Sequence, residues 1–337
     1  MNKWHTAIWA EQFPGGLSAQ SLLLVAPRGS GATDFARTLA KAGLCATPET
    51  NGLPCDICED CRWFDAGSHP DFRLVDVATA ADAKADPDAA VADDTAPTEK
   101  AKRVRPIIPI DRIRALEDLM HLASHRGRAR IVVIDHAHAM NTAAANALLK
   151  MLEEPPAGAQ FILLTSQPAR LLPTIRSRCL RLTLPGPSRD EAIEVLASSE
   201  GGRAALALDQ TGGSPGMVAE LGERFWAVRE MLMPVLSQRD PDWSSVAGRT
   251  TDLELPPLLH LLQTWCFDLL SSRLTGAVRY HTDLGREAAA VSRRIDPLDL
   301  CRYDSRLRAA RRLIDHPLNA RLFAEDLLLD YAQVTAS

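Results

Sequence analysis

The sequence predicts an α/β domain with a parallel sheet, followed by a C-terminal part that is entirely helical. Two short apolar runs, Ile131–Ile134 and Phe161–Thr165, have the β-branched or leucine-rich character and the polar flanks of buried strands. Over residues 144–153, apolar side chains recur at three- and four-residue steps, a helical spacing that Pro155 and Pro156 terminate. A strand, a crossover helix and a second strand form a βαβ unit, in which the strands are parallel.

The composition is that of a globular protein with more than one domain. The 337 residues exceed one core of ordinary size, and 46% of them are hydrophobic while 24% are charged. The net charge of −5 gives no general basic surface, so contact with nucleic acid would need a local patch. No apolar run reaches about 18 residues, and Met1–Trp9 lacks the apolar block of a signal peptide. We therefore expect a cytoplasmic protein whose cysteines are reduced or bound to metal.

A degenerate phosphate-binding loop is predicted after an aromatic-rich helix within residues 1–20. The apolar strand Ser21–Val25 leads through the loop APRGSGAT into a helical pattern, the layout in which backbone amides and a helix N-terminus hold phosphate. Ala26 stands at the first glycine of the motif, and Ala32 replaces the lysine that reaches the β- and γ-phosphates. We expect a loop that keeps its backbone shape without supporting catalysis, while residual nucleotide binding through backbone amides stays open. Its candidate nucleotide-contacting residues are Gly29, Gly31 and Thr33.

Four cysteines form a candidate metal site with the spacing C-x9-C-x2-C-x2-C. The segment that contains them has turn-forming prolines and glycine and almost no apolar residues, so burial alone would not fix its shape. Four thiolates around a tetrahedral zinc ion would fix it and would leave no open coordination position, which indicates a structural role. A disulfide pair is disfavoured in the cytoplasm, and a ferredoxin-type cluster would need a further cysteine followed by proline. The predicted Zn2+ ligands are Cys45, Cys55, Cys58 and Cys61.

A long polar insertion is predicted inside the first domain, after the strand Phe72–Val77. Residues 78–105 are rich in alanine, aspartate and proline and have too little apolar surface to offset chain entropy, so we predict a disordered surface loop. Order returns with a helix over Ile110–Ala123, which precedes the basic segment 125–130. Two interpretations of that basic segment stay open: contact with phosphates, or a solvated turn.

The chain is predicted to divide at residues 185–187, where Pro-Gly-Pro interrupts the pattern. Ser188 and Glu191 form a capping box that begins a helix, and further short helical segments up to residue 225 suit a small three-helix lid. Beyond it the pattern is helical, with a broad apolar face over Leu255–Leu270 that indicates partner helices as well as a private core. The predicted domains are residues 1–185, 186–225 and 226–337.

The region 131–179 carries the motifs of a known family. Asp135 follows the first strand of the βαβ unit, where a nucleotide-binding sheet places a metal-facing carboxylate, and His136 replaces the glutamate that polarises water. The crossover helix ends in LEEPP, and LLPTIRSRC leads into the next strand, Leu180–Leu184. Together these motifs resemble the AAA+ subunits of bacterial clamp loaders. The cysteine segment also stands where that family has a four-cysteine module.

This resemblance implies a fold and a set of partners. The expected fold is a five-stranded parallel AAA+ sheet domain with a zinc module, a three-helix lid and an all-α collar domain. The expected partners are the gamma/tau ATPase subunits and the delta subunit of the clamp loader, and, through the assembled complex, the sliding clamp and primed DNA. The resemblance also implies that the chain by itself is not an enzyme, although the whole assembly belongs to a DNA-directed DNA polymerase.

Two functions from different classes compete. An active AAA+ ATPase of the gamma/tau type would need a lysine in place of Ala32 and a carboxylate in place of His136. A non-hydrolysing stator needs only an arginine that it offers to its neighbour, and Arg178 matches the arginine finger of the family. Asp135 and Thr165 then remain as vestigial site positions. We predict the second function, in which Arg178 acts in trans and ATP is not bound productively.

Overall fold

The computed structural model of the chain describes residues 1–17, 21–77, 107–121, 129–238, 254–314 and 319–336. The chain divides into two compact units, Met1–Pro187 and Ser188–Ser337. The predicted disordered loop 78–105 and most of the basic segment 125–130 lie outside the described residues. Among the helices that are described, none is both long enough and apolar enough to cross a membrane.

A parallel sheet organises the first unit, as the sequence predicts. Its strands are β1 (Ser21–Val25), β2 (Phe72–Val75), β3 (Arg130–Ile134), β4 (Ala159–Thr165) and β5 (Leu180–Thr183). All five are parallel to their neighbours and lie in the order β2-β3-β4-β1-β5. The two edge strands, β2 and β5, end earlier than predicted, where pairing with their single neighbouring strand stops.

The described part of the first unit also contains α1 (Thr6–Gln12), α2 (Ala32–Leu44), α3 (Glu59–Asp65), α4 (Ile110–His121), α5 (Thr142–Glu153) and α6 (Pro173–Arg178). Short 3-10 turns span Lys3–His5, Ala137–Ala139 and Pro168–Arg170. The crossover helix of the predicted βαβ unit is α5. It begins after Asn141, whose side-chain oxygen accepts a hydrogen bond of 2.7 Å from the backbone amide of Ala144. It ends just before the Pro155-Pro156 pair, because proline cannot continue a helix.

Side chains of the central strands alternate between the two faces of the sheet. Val132 and Phe161 pack on one face with buried residues of α4 and α5. Ile131 and Ile162 pack on the other face with buried residues of α1 and α2. Because both faces are covered, the central strands are apolar at most positions, which is why they contain continuous apolar runs.

All secondary structure described in the second unit is helical. Its helices are α7 (Arg189–Glu200), α8 (Ala204–Gln210), α9 (Val218–Leu236), α10 (Leu255–Thr275), α11 (Gly285–Ser292), α12 (Pro297–Leu313) and α13 (Ala320–Ala336). The predicted capping box is present: the amide of Ser188 donates to Glu191 Oε2 at 2.8 Å, and the amide of Glu191 donates to Ser188 Oγ at 3.4 Å. A kink interrupts α9 at Gly222, whose φ of 63° lies in the left-handed region.

One hydrophobic cluster, with members from each of the seven α-helices described in this unit, forms its core. Much of the apolar face predicted over Leu255–Leu270 is buried in this cluster. Two buried aromatic residues lie at its centre, where Trp265 Nε1 donates to Tyr331 Oη at 2.8 Å and Tyr331 Oη donates to the carbonyl of Leu236 at 2.9 Å. These bonds join α10, α13 and α9 to one another.

Candidate nucleotide site and metal centre

The glycine-rich loop joins the end of β1 to the start of α2. Gly29 and Gly31 have φ angles of 68° and 81°, the left-handed conformations that glycine adopts without strain. Ala32 is the first residue of α2, so a methyl group stands where a phosphate-binding loop has its lysine. Thr33 Oγ1 donates a hydrogen bond of 2.7 Å to Asp135 Oδ2. Two of the predicted site groups, the hydroxyl of Thr33 and the carboxylate of Asp135 after β3, are thus bonded directly to each other.

The N-terminal residues of the chain pack against this loop. Trp4 Nε1 donates to the carbonyl of Ser30 at 2.8 Å, and Ser30 is buried. The side chain of Asn2 lies so close to Gly31 that a Cβ atom at Gly31 would overlap Asn2 Nδ2. Sequence reasoning assigns Trp4 to a packing helix and gives no role to Asn2, because a contact of this kind depends on the tertiary fold. Side chains of the same polypeptide therefore occupy the surface of the loop beside Gly31.

An ion pair occupies the carboxyl ends of β2 and β3. His136 Nδ1 lies 2.9 Å from Asp76 Oδ1 and 3.4 Å from Asp135 Oδ1, and the amide of His136 donates to Asp135 Oδ1 at 2.7 Å. The hydrogen bond with His136 lowers the pKa of Asp76, and the same bond raises the pKa of His136. A left-handed backbone, with φ of 50°, holds the histidine in this position.

Asp76 belongs to this site although the sequence analysis did not single it out. Asp135 was identified as an aspartate directly after an apolar strand, whereas Asp76 lay inside the predicted strand Phe72–Val77 and follows a strand only because β2 ends at Val75. Asp76, Asp135 and His136 each offer one ligand atom, and these atoms lie within 4.8 Å of one another. The raised pKa of His136 favours its imidazolium form, which balances charge between the two carboxylates.

Thr165, the other vestigial position, is buried at the end of β4. Its Oγ1 lies 3.1 Å from His138 Nδ1 and accepts a hydrogen bond of 3.0 Å from the amide of Gln167. Burial lowers the pKa of His138, which favours the neutral imidazole there. The structure therefore brings Thr33, Asp135 and Thr165 to the same edge of the sheet, as expected from parallel strands, and engages each of them within the chain.

Arg178 is the last residue of α6 and comes later in the chain than Thr33, Asp135 and Thr165. Its Nη2 lies 2.6 Å from Glu153 Oε1, and its Nη1 donates to the carbonyl of Thr174 at 3.1 Å. The side chain is 35% exposed, while Cys179, which follows it, is buried. A role of Arg178 toward a neighbouring subunit stays a prediction. The sequence analysis did not connect Arg178 with Glu153, although both lie in motifs that it used.

The four predicted metal ligands lie together. Cys45 follows α2, while Cys58 and Cys61 lie at the start of α3. The Sγ atom of Cys45 is 3.4 Å from that of Cys55 and 3.8 Å from that of Cys58, and all four sulfur atoms lie within 4.8 Å of one another. In a tetrahedron with Zn–S bonds of about 2.3 Å the sulfur atoms lie about 3.8 Å apart, so the cluster is compatible with structural zinc.

Hydrogen bonds to sulfur favour the thiolate form that a metal needs. The amide of Cys58 donates to Cys55 Sγ and the amide of Cys61 donates to Cys58 Sγ, both at 3.4 Å. A bond from the hydroxyl of Thr47, together with backbone amides, lowers the pKa of Cys55 to about 6. Backbone amides and a loop hydroxyl thus favour the thiolate at Cys55, and the pKa of Cys58 is lowered as well, whereas burial raises the pKa of Cys45 and of Cys61.

A partly buried lysine joins the elements that carry the cysteines. Lys41, near the end of α2, has its Nζ 2.6 Å from Asp56 Oδ1 and 2.8 Å from Asp65 Oδ1. Asp56 lies in the turn between Cys55 and Cys58, and Asp65 is the last residue of α3. No motif signalled this tie, since a lysine on a helix usually faces solvent.

Comparisons with known proteins agree on one family. A family model described as DNA polymerase III, delta subunit, matches residues 3–188. The DNA polymerase III subunit delta′ of Pseudomonas aeruginosa is 31% identical over 281 residues, which cover 81% of this chain and 78% of that protein. The subunit delta′ of Escherichia coli is 30% identical over 333 residues, which cover 94% of this chain and 90% of that protein. The subunit tau of Escherichia coli is 35% identical over 157 residues, which cover 47% of this chain and 20% of tau.

Proposed function

This chain belongs to the family of DNA polymerase III delta′ subunits, and we propose that it serves the clamp loader in DNA replication as a stator that does not hydrolyse ATP. One observation carries the proposal: Ala32 and His136 stand where hydrolysis needs a lysine and a carboxylate. Without the lysine the β- and γ-phosphates lose their fixed cation, and without the carboxylate nothing orients the attacking water. The contacts of His136 support this, because they place an imidazole with a raised pKa beside Asp135, where a glutamate would be needed.

The proposed contribution of the chain to catalysis is Arg178, offered to the nucleotide site of the adjacent gamma/tau-type ATPase subunit. A guanidinium stabilises the charge that spreads over the transferring phosphoryl group, and such a finger is worth about 10³–10⁵ in rate. The position of Arg178 at the exposed end of α6 supports this role, because the side chain is accessible at the surface of its own unit.

The proposal includes a structural zinc ion on Cys45, Cys55, Cys58 and Cys61. Zinc would close the segment from α2 to α3 into a rigid knuckle, while these residues supply the thiolates and their amide bonds. The proposal also includes the AAA+ character of the first unit, a lid over residues 186–225 and a collar over residues 226–337. The proposed partners are the gamma/tau and delta subunits, with the sliding clamp and primed DNA reached through the assembly.

Two measurements test the stator function. The isolated chain should hydrolyse ATP no faster than a sample from which it is omitted. Brisk hydrolysis that Thr33→Ala removes would instead indicate an active gamma/tau-type ATPase.

The second measurement uses a reconstituted clamp loader that contains the cognate subunits. With Arg178→Ala the loader should assemble but lose the part of its clamp- and DNA-stimulated ATP turnover that comes from the neighbouring site. The matched control is Arg176→Ala, because Arg176 is an exposed arginine on the same helix with no ion pair among the described residues. Equal turnover with Arg178→Ala and Arg176→Ala would contradict the finger role.

A further inference from the structure

The ion pair between Arg178 and Glu153 links two motifs that are distant in the chain. Glu153 is the last residue of α5, and Arg178 is the last residue of α6. Their side chains are 48% and 35% exposed, and the carboxylate oxygen lies 2.6 Å from Nη2 of the guanidinium. Such a pair is too exposed to add much to the stability of the fold. The ion pair involves the arginine of the proposed finger, so it affects the orientation of that side chain.

The charge of Glu153 opposes the helix on which it sits. The C-terminus of a helix carries a partial negative charge from its unpaired carbonyls, so a carboxylate there is unfavourable for the helix itself. α5 nevertheless ends in Glu153 and is followed by Glu154. The cation of Arg178 offsets this repulsion at Glu153, while Glu154 forms no ion pair among the described residues. Glu153 thus contributes through its contact with Arg178 and not through the stability of its own helix.

Two acceptors bind different nitrogen atoms of the Arg178 guanidinium and anchor it. Glu153 contacts Nη2 at 2.6 Å, and the carbonyl of Thr174 accepts from Nη1 at 3.1 Å. A guanidinium is planar and rigid, so two anchors fix both its position and the direction of its plane. The donors not used by these anchors remain for an external anion. Holding the side chain in advance lowers the ordering cost of contacting the charge that develops on the transferring phosphoryl group in the transition state.

We propose that Glu153 is a positioning residue, which orients Arg178 toward the phosphates bound by the adjacent ATPase subunit. This inference rests on the proposed finger role of Arg178. Glu153 touches no substrate and acts through the arginine alone. Its removal should therefore lower the turnover of the neighbouring site without changing assembly of the ring or the KM for ATP.

The test is a double-mutant cycle in the reconstituted loader, with Glu153→Gln, Arg178→Ala and the two combined. Exposed ion pairs couple weakly, so Glu153→Gln should lower clamp- and DNA-stimulated kcat by about 1.5- to 5-fold. In the Arg178→Ala background the same substitution should have no further effect, since the residue it positions is absent. Glu154→Gln is the matched control, because it removes the same charge from the neighbouring residue, and it should leave kcat unchanged.

The outcomes separate this inference from the function on which it rests. If Arg178→Ala leaves turnover unchanged, the finger role itself is wrong. If Arg178→Ala lowers turnover while Glu153→Gln equals wild type or exceeds it, the finger stands and the positioning role is overturned. A further loss from Glu153→Gln in the Arg178→Ala background, an equal loss with Glu154→Gln, or failure of the Glu153→Gln loader to assemble would also overturn it.

Discussion

Replacing Lys41 with methionine tests how the chain shapes its cysteine cluster. Lys41 contacts Asp56 in the cysteine turn and Asp65 at the end of α3, at 2.6 and 2.8 Å. Methionine keeps the apolar stem of the side chain and removes the charge, so the contacts of the stem are retained. Both carboxylates would then lose their tie to α2, which carries Cys45 at its C-terminal end.

The size of the effect follows from the exposure of the three groups. The side chain of Lys41 is 12% exposed, but those of Asp56 and Asp65 are 68% and 60% exposed, so water hydrates both carboxylates when the lysine is gone. Each pair is therefore worth about 0.2–1 kcal/mol, and the two together about 0.4–2 kcal/mol. At about 1.4 kcal/mol for a factor of ten, Lys41→Met should weaken retention of zinc by about 2- to 30-fold.

Zinc retention is measured by loading the purified chain with zinc and following its transfer to a coloured chelator. The matched control is Lys150→Met, since Lys150 is an exposed helical lysine with no ion pair among the described residues. Lys41→Met should release zinc faster than wild type, while Lys150→Met should release it at the wild-type rate. Equal rates for all three chains would refute the reasoning, as would a chain that binds no zinc at all.

The remaining predictions concern charge and packing. Hydrogen bonding to Asp76 raises the pKa of His136 above its ordinary 6.5, so the pair stabilises the fold fully below that pH and loses its effect as pH rises through the folded pKa. His136→Ala should therefore flatten the pH dependence of the melting temperature above this value, and an unchanged profile would count against the pair. Tyr331→Phe leaves the Trp265 indole and a backbone carbonyl unpaired in the core, and should cost about 2–4 kcal/mol in urea unfolding. Tyr303→Phe, which loses one buried bond, should cost less, and a reversed order would contradict this accounting.

The central strands were predictable from the sequence because a continuous apolar run indicates a strand that is buried on both faces of the sheet. Ile131–Ile134 and Phe161–Thr165 lie in central strands, where most positions are apolar, and the prolines after α5 fix the end of the crossover helix. The edge strands were predicted less well, because each pairs on one side only and its last residues resemble loop. The cysteine cluster was predictable for another reason: ligand spacing is itself a local signal.

The contacts that surround these residues were not predictable from pattern. Asp76 meets His136 only because β2 and β3 are adjacent in the sheet, and the sequence does not specify strand order. The ties of Lys41 to Asp56 and of Arg178 to Glu153 likewise depend on how helices approach each other. Residue types and spacings thus identify the groups that do chemistry, whereas their partners depend on packing.

The position of Asn2 has a consequence for any attempt to rebuild a working phosphate loop in this chain. A lysine introduced at Ala32 would enter a loop whose flank, at Gly31, is already filled by an amide from the start of the chain. It would also meet an imidazole where the reaction needs a base. Asn2, Ala32 and His136 lie in three separate segments of the chain, so a phosphate loop of the ordinary kind would need a substitution in each of them.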